Sequence, residues 1–136
     1  MSVRSALAVA LLLLMSASAG AHAVLVKASP ARRAVLTQPP TRVELTFNER
    51  LEPAYSTLSV WAKGETRVDD AKIVVGPDDP RRLSVGVPSL TRGTYTVKFR
   101  VLSVDGHLVE GTYSFEVRPR GTVANDSRLE YSLAHS

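Results

Sequence analysis

Hydrophobic and polar residues alternate along most of the chain, in short runs separated by glycine, proline and aspartate. The segment at residues 94–101, for example, places Tyr95, Val97 and Phe99 on one side and polar residues on the other. A period of two is typical of half-buried β-strands, and no run carries a sustained helical period. Seven such runs are present, at residues 23–29, 42–47, 57–62, 71–75, 82–87, 94–101 and 112–117. Their number and spacing predict an all-β, seven-strand β-sandwich.

The turn before the sixth run supports this architecture. A leucine-led turn, LTRGTY at residues 90–95, brings Gly93 and then Tyr95 into the start of a strand. This arrangement resembles the tyrosine corner of immunoglobulin-like sandwiches. The alternative is an ordinary strand that happens to begin at a glycine.

The N-terminal segment breaks the alternating pattern. Arg4 precedes the apolar run ALAVALLLLM at residues 6–15, which is shorter than the stretch of about 18 apolar residues that marks a membrane span. Small residues then lead to Ala19-Gly20-Ala21, an A-x-A cleavage sequence. Residues 1–21 are therefore predicted to be a secretory signal, with a membrane anchor as the alternative.

Beyond this leader, the length of the chain favours one domain. We place that domain at residues 22–118 and expect a disordered tail at residues 119–136, where the alternation is lost. The formal net charge is only +4, and the basic residues are scattered without aromatic residues between them. This composition argues against nucleic-acid binding.

Sulfur is missing from the predicted mature chain. There is no cysteine, and both methionines, Met1 and Met15, lie in the leader. A metal bound after export would therefore have nitrogen and oxygen ligands only, which disfavours Cu(I).

Motifs of common enzymes are also missing. The sequence contains no nucleophile elbow, no glycine-rich phosphate loop and no H-E-x-x-H. Paired carboxylates occur as Asp69-Asp70 and Asp78-Asp79, and both pairs stand in turn sequences. We interpret them as solvated turn residues.

The most informative segment joins the last two runs and contains Asp105-Gly106-His107. A glycine permits a bend that brings the side chains before and after it to the same side. Taken alone, the segment is a weak signal, and a polar turn that contains an accidental histidine is the default interpretation. His135, in the predicted tail, is a weaker candidate still.

The cleavage position decides whether a second histidine joins this pair. Cleavage after Ala21 would make His22 the N-terminus, whose α-amine and imidazole Nδ1 can chelate one metal. With Asp105 and His107, the donors would be three nitrogens and one oxygen, a set that suits Cu(II). Zinc could use the same atoms, and cleavage after Ala23 would remove His22 altogether.

With these residues in view, the sequence resembles the CopC family of exported copper-binding proteins. The resemblance spans about residues 22–118 and includes the place of His22 directly after an A-x-A site. The similar segments are Ala28–Ala31 (S-x-P-A, with Ala28 in place of the serine), Leu45–Pro53 (L-x-F-S-E-x-L, with Asn48 in place of the serine), Leu90–Tyr95 (L-x-x-G-x-Y) and Ser103–Phe115 (S-x-D-G-H-x-x-x-G-x-Y-x-F).

The resemblance implies a Greek-key sandwich of the cupredoxin or immunoglobulin-like type and one Cu(II) per chain. It implies copper ligation by the His22 amine and imidazole, Asp105 and His107. Glu49 stands at the position of a family carboxylate near the copper, either as a ligand or beside the ligands. A methionine-rich Cu(I) site, which some relatives carry, is not expected here.

It further implies a protein that is not an enzyme and lies in the periplasm, or outside the cell where no outer membrane exists. We expect a monomer that binds copper ion, and any CopD-like membrane copper transporter would be a separate partner. Two alternatives stay open: a copper monooxygenase with a histidine brace, and a metal-free immunoglobulin-like interaction module.

Overall fold

A computed structural model describes residues 24–63 and 65–120. Within those two ranges the chain forms nine strands and one short 3₁₀ helix at Pro53–Tyr55. The strands are β1 Leu25–Ser29, β2 Val35–Leu36, β3 Arg42–Phe47, β4 Thr57–Ala62, β5 Thr66–Arg67, β6 Val74–Val75, β7 Arg82–Gly86, β8 Gly93–Leu102 and β9 Leu108–Val117. The predicted signal at residues 1–21, His22 and all but two residues of the predicted tail lie outside the described residues.

The strands form two sheets. One has the order β1-β3-β7-β6, the other β2-β9-β8-β4-β5, and neighbours are antiparallel except for the parallel pair β2–β9. The predicted all-β sandwich is therefore confirmed, and each of the seven alternating runs overlaps one strand. The two additional strands, β2 and β5, are two residues long, which is too short for any alternation to show in the sequence.

Alternation places one side of each long strand in a common core. In β8, Tyr95, Val97, Phe99 and Val101 are buried, and the residues between them are exposed or half-buried. The rings of Phe47 and Phe99 meet edge to face, with their centroids 5.7 Å apart. Such burial of apolar surface is the main force that holds two sheets together.

The tyrosine corner is present. The hydroxyl of Tyr95 donates to the carbonyl of Thr91 at 2.5 Å and accepts from the Thr91 N–H at 3.0 Å. These two bonds secure the turn that leads into β8, at the end of the strand opposite Leu102.

The interpretation of Asp69 as a solvated turn residue is wrong. Its side chain is fully buried, and its oxygens accept hydrogen bonds from the N–H groups of Val60 at 2.9 Å and Ala71 at 2.8 Å and from Arg67. Asp70 in turn accepts from the N–H of Gly86 in β7 at 3.2 Å. The pair therefore joins β4 of one sheet to β7 of the other.

The second carboxylate pair, Asp78-Asp79, agrees better with the interpretation of solvated turn residues. Asp78 and Asp79 lie in the turn before β7, where they form ion pairs with Arg82 at 2.7 Å and Arg81 at 3.2 Å. Exposed pairs of this kind contribute little to stability. Residues 24–63 and 65–120 contain no helix that is long and apolar enough to cross a membrane.

Candidate metal site

The β8–β9 hairpin presents the turn that contains the candidate ligands. Leu102 and Leu108 are the last paired residues of the two strands, and residues 103–107 connect them. The turn closes through a bond from the Ser103 N–H to the His107 carbonyl at 2.9 Å and another from the Gly106 N–H to the Ser103 carbonyl at 2.9 Å. Gly106 has a φ of 91°, a conformation that side chains with a Cβ rarely adopt.

Ser103 organises the polar side of this turn. The residue is only 1% exposed, and its hydroxyl donates a short hydrogen bond to Oδ1 of Asp105. The same oxygen accepts from the backbone N–H of His107 at 3.2 Å. One buried hydroxyl thus contacts both candidate ligand residues.

Asp105 and His107 lie side by side, as the sequence predicted for residues that flank a glycine bend. Oδ1 of Asp105 is 3.1 Å from Nδ1 of His107, and the side chains are 43% and 33% exposed. The hydrogen bond from Ser103, followed by that from His107, holds the pKa of the Asp105 carboxyl below its ordinary value. The carboxylate is therefore ionised at neutral pH.

The spacing of these two atoms suits a shared metal ion. Nitrogen and oxygen ligands lie about 2.1 Å from a divalent transition metal, so two ligands at right angles are about 3 Å apart. The 3.1 Å between Asp105 and His107 agrees with adjacent positions of one coordination plane.

A short segment after β3, residues 48–52, connects this turn to the start of β1. On one side, Asn48 exchanges two hydrogen bonds with Val24, at 2.7 and 3.0 Å. On the other side, the carbonyl of Arg50 accepts from the N–H of Val104 at 2.9 Å, and Leu51 bridges to Ser103. Residues 48–52 therefore lie between the first described residue, Val24, and the turn that bears the candidate ligands.

Of the predicted ligands, the structure brings Asp105 and His107 together. Glu49 is half-buried on the connecting segment, but it forms no group of three metal-binding side chains with them. Such a group of His, Cys, Asp or Glu is absent from residues 24–63 and 65–120. His22 and His135 lie outside the described residues.

Sequence reasoning overlooked two residues around this site. Ser103 was visible as part of a motif, two positions before an aspartate, where a hydroxyl can bond locally within a turn. Asn48 also lay in a motif, at the position where the family pattern has serine, but its contact with Val24 could not be predicted because it depends on how β1 aligns with β3.

Comparisons with known proteins show which family this fold belongs to. The family model described as the CopC domain matches residues 25–118. The chain is 35% identical over 118 residues to Protein YobA of Escherichia coli strain K12, covering 86% of this chain and 95% of that protein. It is 35% identical over 120 residues to copper resistance protein C of Xanthomonas campestris pv. juglandis, covering 77% of this chain and 87% of that protein.

Among solved structures, CopC from Methylosinus trichosporium OB3b superposes with a TM-score of 0.68 at 42% sequence identity. The superposition covers 73% of this chain and 96% of the other. Since the matched region includes both sheets and the turn that bears Asp105 and His107, the chain belongs to the CopC family.

Proposed function

We propose that this chain is an exported protein that binds one Cu(II) ion through a matured N-terminal His22, together with Asp105 and His107. The observation that carries the proposal is the pair of candidate ligands 3.1 Å apart on a turn that residues 48–52 tie to the start of β1. The family consists of copper-binding resistance proteins rather than enzymes, which supports binding over catalysis.

Chain geometry supports the inclusion of His22. Two residues of polypeptide span at most about 7 Å, so His22 stands within that reach of Val24. Val24 is bonded to Asn48, and Arg50 two residues later is bonded to the ligand turn through Val104. Cleavage after Ala21 would therefore create an amine and an imidazole close to Asp105 and His107.

The chemistry of the donors favours Cu(II). Three nitrogens and one carboxylate oxygen suit a tetragonal plane, and Cu(II) lies above zinc in intrinsic affinity for such a set. The two nitrogens of His22 act as a chelate, which lowers the entropic cost of capture. The ionised carboxylate of Asp105 offsets part of the copper charge. We assign Glu49 a place beside this plane, on the segment that connects its two halves.

The biological role that fits these features is copper handling outside the cytoplasm. The A-x-A sequence before His22 supports export to the periplasm, or to the cell envelope where no outer membrane exists. A monomer that holds Cu(II) in a filled plane suits sequestration and resistance, or delivery to a separate CopD-like membrane importer. The absence of methionine after Met15 supports a single Cu(II) site without a Cu(I) site.

The proposal is tested by comparing the secreted protein with a form that carries one added alanine before His22. Mass spectrometry of the secreted protein first identifies its N-terminal residue. Competition with a Cu(II) chelator then measures both affinities. We expect His22 at the N-terminus and a large loss of affinity in the alanine-extended form, because the chelate needs a free amine. Equal affinities, or cleavage after Ala23, would overturn the proposal.

A further inference from the structure

Asn48 holds the entry of β1 with its side chain. Its Oδ1 accepts a hydrogen bond from the Val24 N–H at 2.7 Å, and its backbone N–H donates to the Val24 carbonyl at 3.0 Å. Both backbone polar groups of Val24 are therefore bonded to one residue.

These bonds extend the β1–β3 ladder by one residue toward the N-terminus. Leu25 is paired with Phe47, so Val24 faces Asn48 in the continuing register. In an antiparallel ladder such a pair exchanges two backbone bonds. Here the side-chain carbonyl of Asn48 replaces the backbone carbonyl as the acceptor, after β3 itself has ended at Phe47.

The residues after Asn48 form hydrogen bonds with the other neighbour of this segment, the turn at residues 103–107 and the end of β8. The carbonyl of Arg50 accepts from Val104 at 2.9 Å, directly before Asp105. The N–H of Glu52 donates to Leu102 at 2.8 Å, where β8 ends. Movement of the start of β1 relative to this turn is thus opposed by Asn48 on one side and by these backbone bonds on the other.

We propose that Asn48 is a positioning residue of the copper site, which holds the His22 end of the chain beside Asp105 and His107. The inference rests on the proposed function, since it requires His22 to be a ligand. Asn48 touches no metal in this role. It acts through Val24, two residues from His22 along the chain.

The physical reason is the cost of ordering a chain end. Terminal residues fray unless they are tied down, and a ligand that is ordered only on binding contributes less to affinity. Residues that orient metal ligands typically change metal affinity by about 10–100-fold when they are replaced. Asn48→Ala keeps the backbone bond to Val24 but removes the side-chain acceptor, so we expect about a tenfold loss of Cu(II) affinity.

The deciding experiment combines Asn48→Ala with the alanine-extended N-terminus and measures Cu(II) affinity of all four proteins by chelator competition. Once the amine is blocked, there is no correctly placed chelate for Asn48 to position. We therefore expect the tenfold loss with the native N-terminus and almost none with the extended one. A purely structural role would weaken both forms equally, and that result would overturn the proposal.

Two further variants complete the test. Asn48→Asp retains an oxygen acceptor at the same reach and should restore the affinity lost in Asn48→Ala. Tyr95→Phe removes side-chain bonds to the Thr91 backbone at the opposite end of β8, and it should leave copper affinity unchanged. If the alanine extension has no effect on wild type, the proposed function fails; if only the coupling is missing, the role of Asn48 alone fails.

Discussion

Two aspartates in connecting segments, Asp69 and Asp105, lie in opposite environments in this molecule. The side chain of Asp69 is fully buried, and its oxygens accept from Arg67 and from the N–H groups of Val60 and Ala71. The side chain of Asp105 is 43% exposed, in a turn beyond the end of the sheet. The carboxylate of Asp69 is fully occupied by hydrogen bonds within the fold, and the carboxylate of Asp105 is accessible to a cation.

Both carboxyls have a lowered pKa, but the causes differ. Burial by itself would raise the pKa of Asp69, and the hydrogen bonds from Arg67, Val60 and Ala71 outweigh it. For Asp105, the hydrogen bond from Ser103 is the main cause. A lowered pKa therefore does not distinguish the buried carboxylate of Asp69 from the exposed candidate ligand Asp105.

The largest expected effect is the loss of copper affinity when a candidate ligand in the turn at residues 103–107 is removed. His107→Ala should weaken Cu(II) binding by several orders of magnitude, because it removes a nitrogen ligand from the proposed plane. The unfolding midpoint in urea should change little, since His107 lies outside the core. Unchanged affinity in a chelator competition would show that the turn is not the site.

The corresponding change at Asp69 should affect stability and not copper. Asp69→Asn replaces an acceptor by an amide, which leaves buried N–H groups poorly bonded and should lower the free energy of unfolding by about 3 kcal/mol. Urea denaturation measures this loss. Asp105→Asn is the matched control and should show the reverse pattern, with reduced copper affinity and nearly unchanged stability. Equal stability losses in the two variants would remove the contrast between them.

A smaller effect on copper affinity is expected from Ser103, which lies in the same turn as Asp105 and His107 but is not itself a candidate ligand. Ser103→Ala removes the hydroxyl that contacts Asp105 and His107, and should lower Cu(II) affinity about tenfold. Ser59→Ala is a suitable control, because the Ser59 hydroxyl accepts from Trp61 on the outer face of β4 at 2.8 Å. Affinity losses of equal size in both variants would argue against a specific role for Ser103.

The smallest effect concerns the pH dependence of stability. Because the folded pKa of Asp69 is below its unfolded value of about 3.9, its stabilising contribution is fully present above that value. The contribution is lost as the pH falls through the folded pKa. The stability difference between wild type and Asp69→Asn should therefore shrink below about pH 4. Denaturation at a series of pH values measures it, and a constant difference would contradict this assignment.

Some parts of the structure could be predicted from the sequence, and others could not. The run at residues 94–101 became part of β8 because alternation and burial share the same period of two. Asp105 and His107 were predicted to be neighbours because the bend at Gly106 is a local property of the chain. By contrast, β2 and β5 exist only because longer strands offer them a partner.

What the sequence determined by itself was thus local: strand periodicity, the glycine bend and the supply of nitrogen and oxygen donors without sulfur. The tertiary structure alone decided the contacts of Asp69 and Asn48. Asp69 bonds to Val60, nine residues away, and Asn48 to Val24, 24 residues away. Such contacts depend on how strands and the segments beside them align within each sheet, and that alignment is decided only when the sheets form.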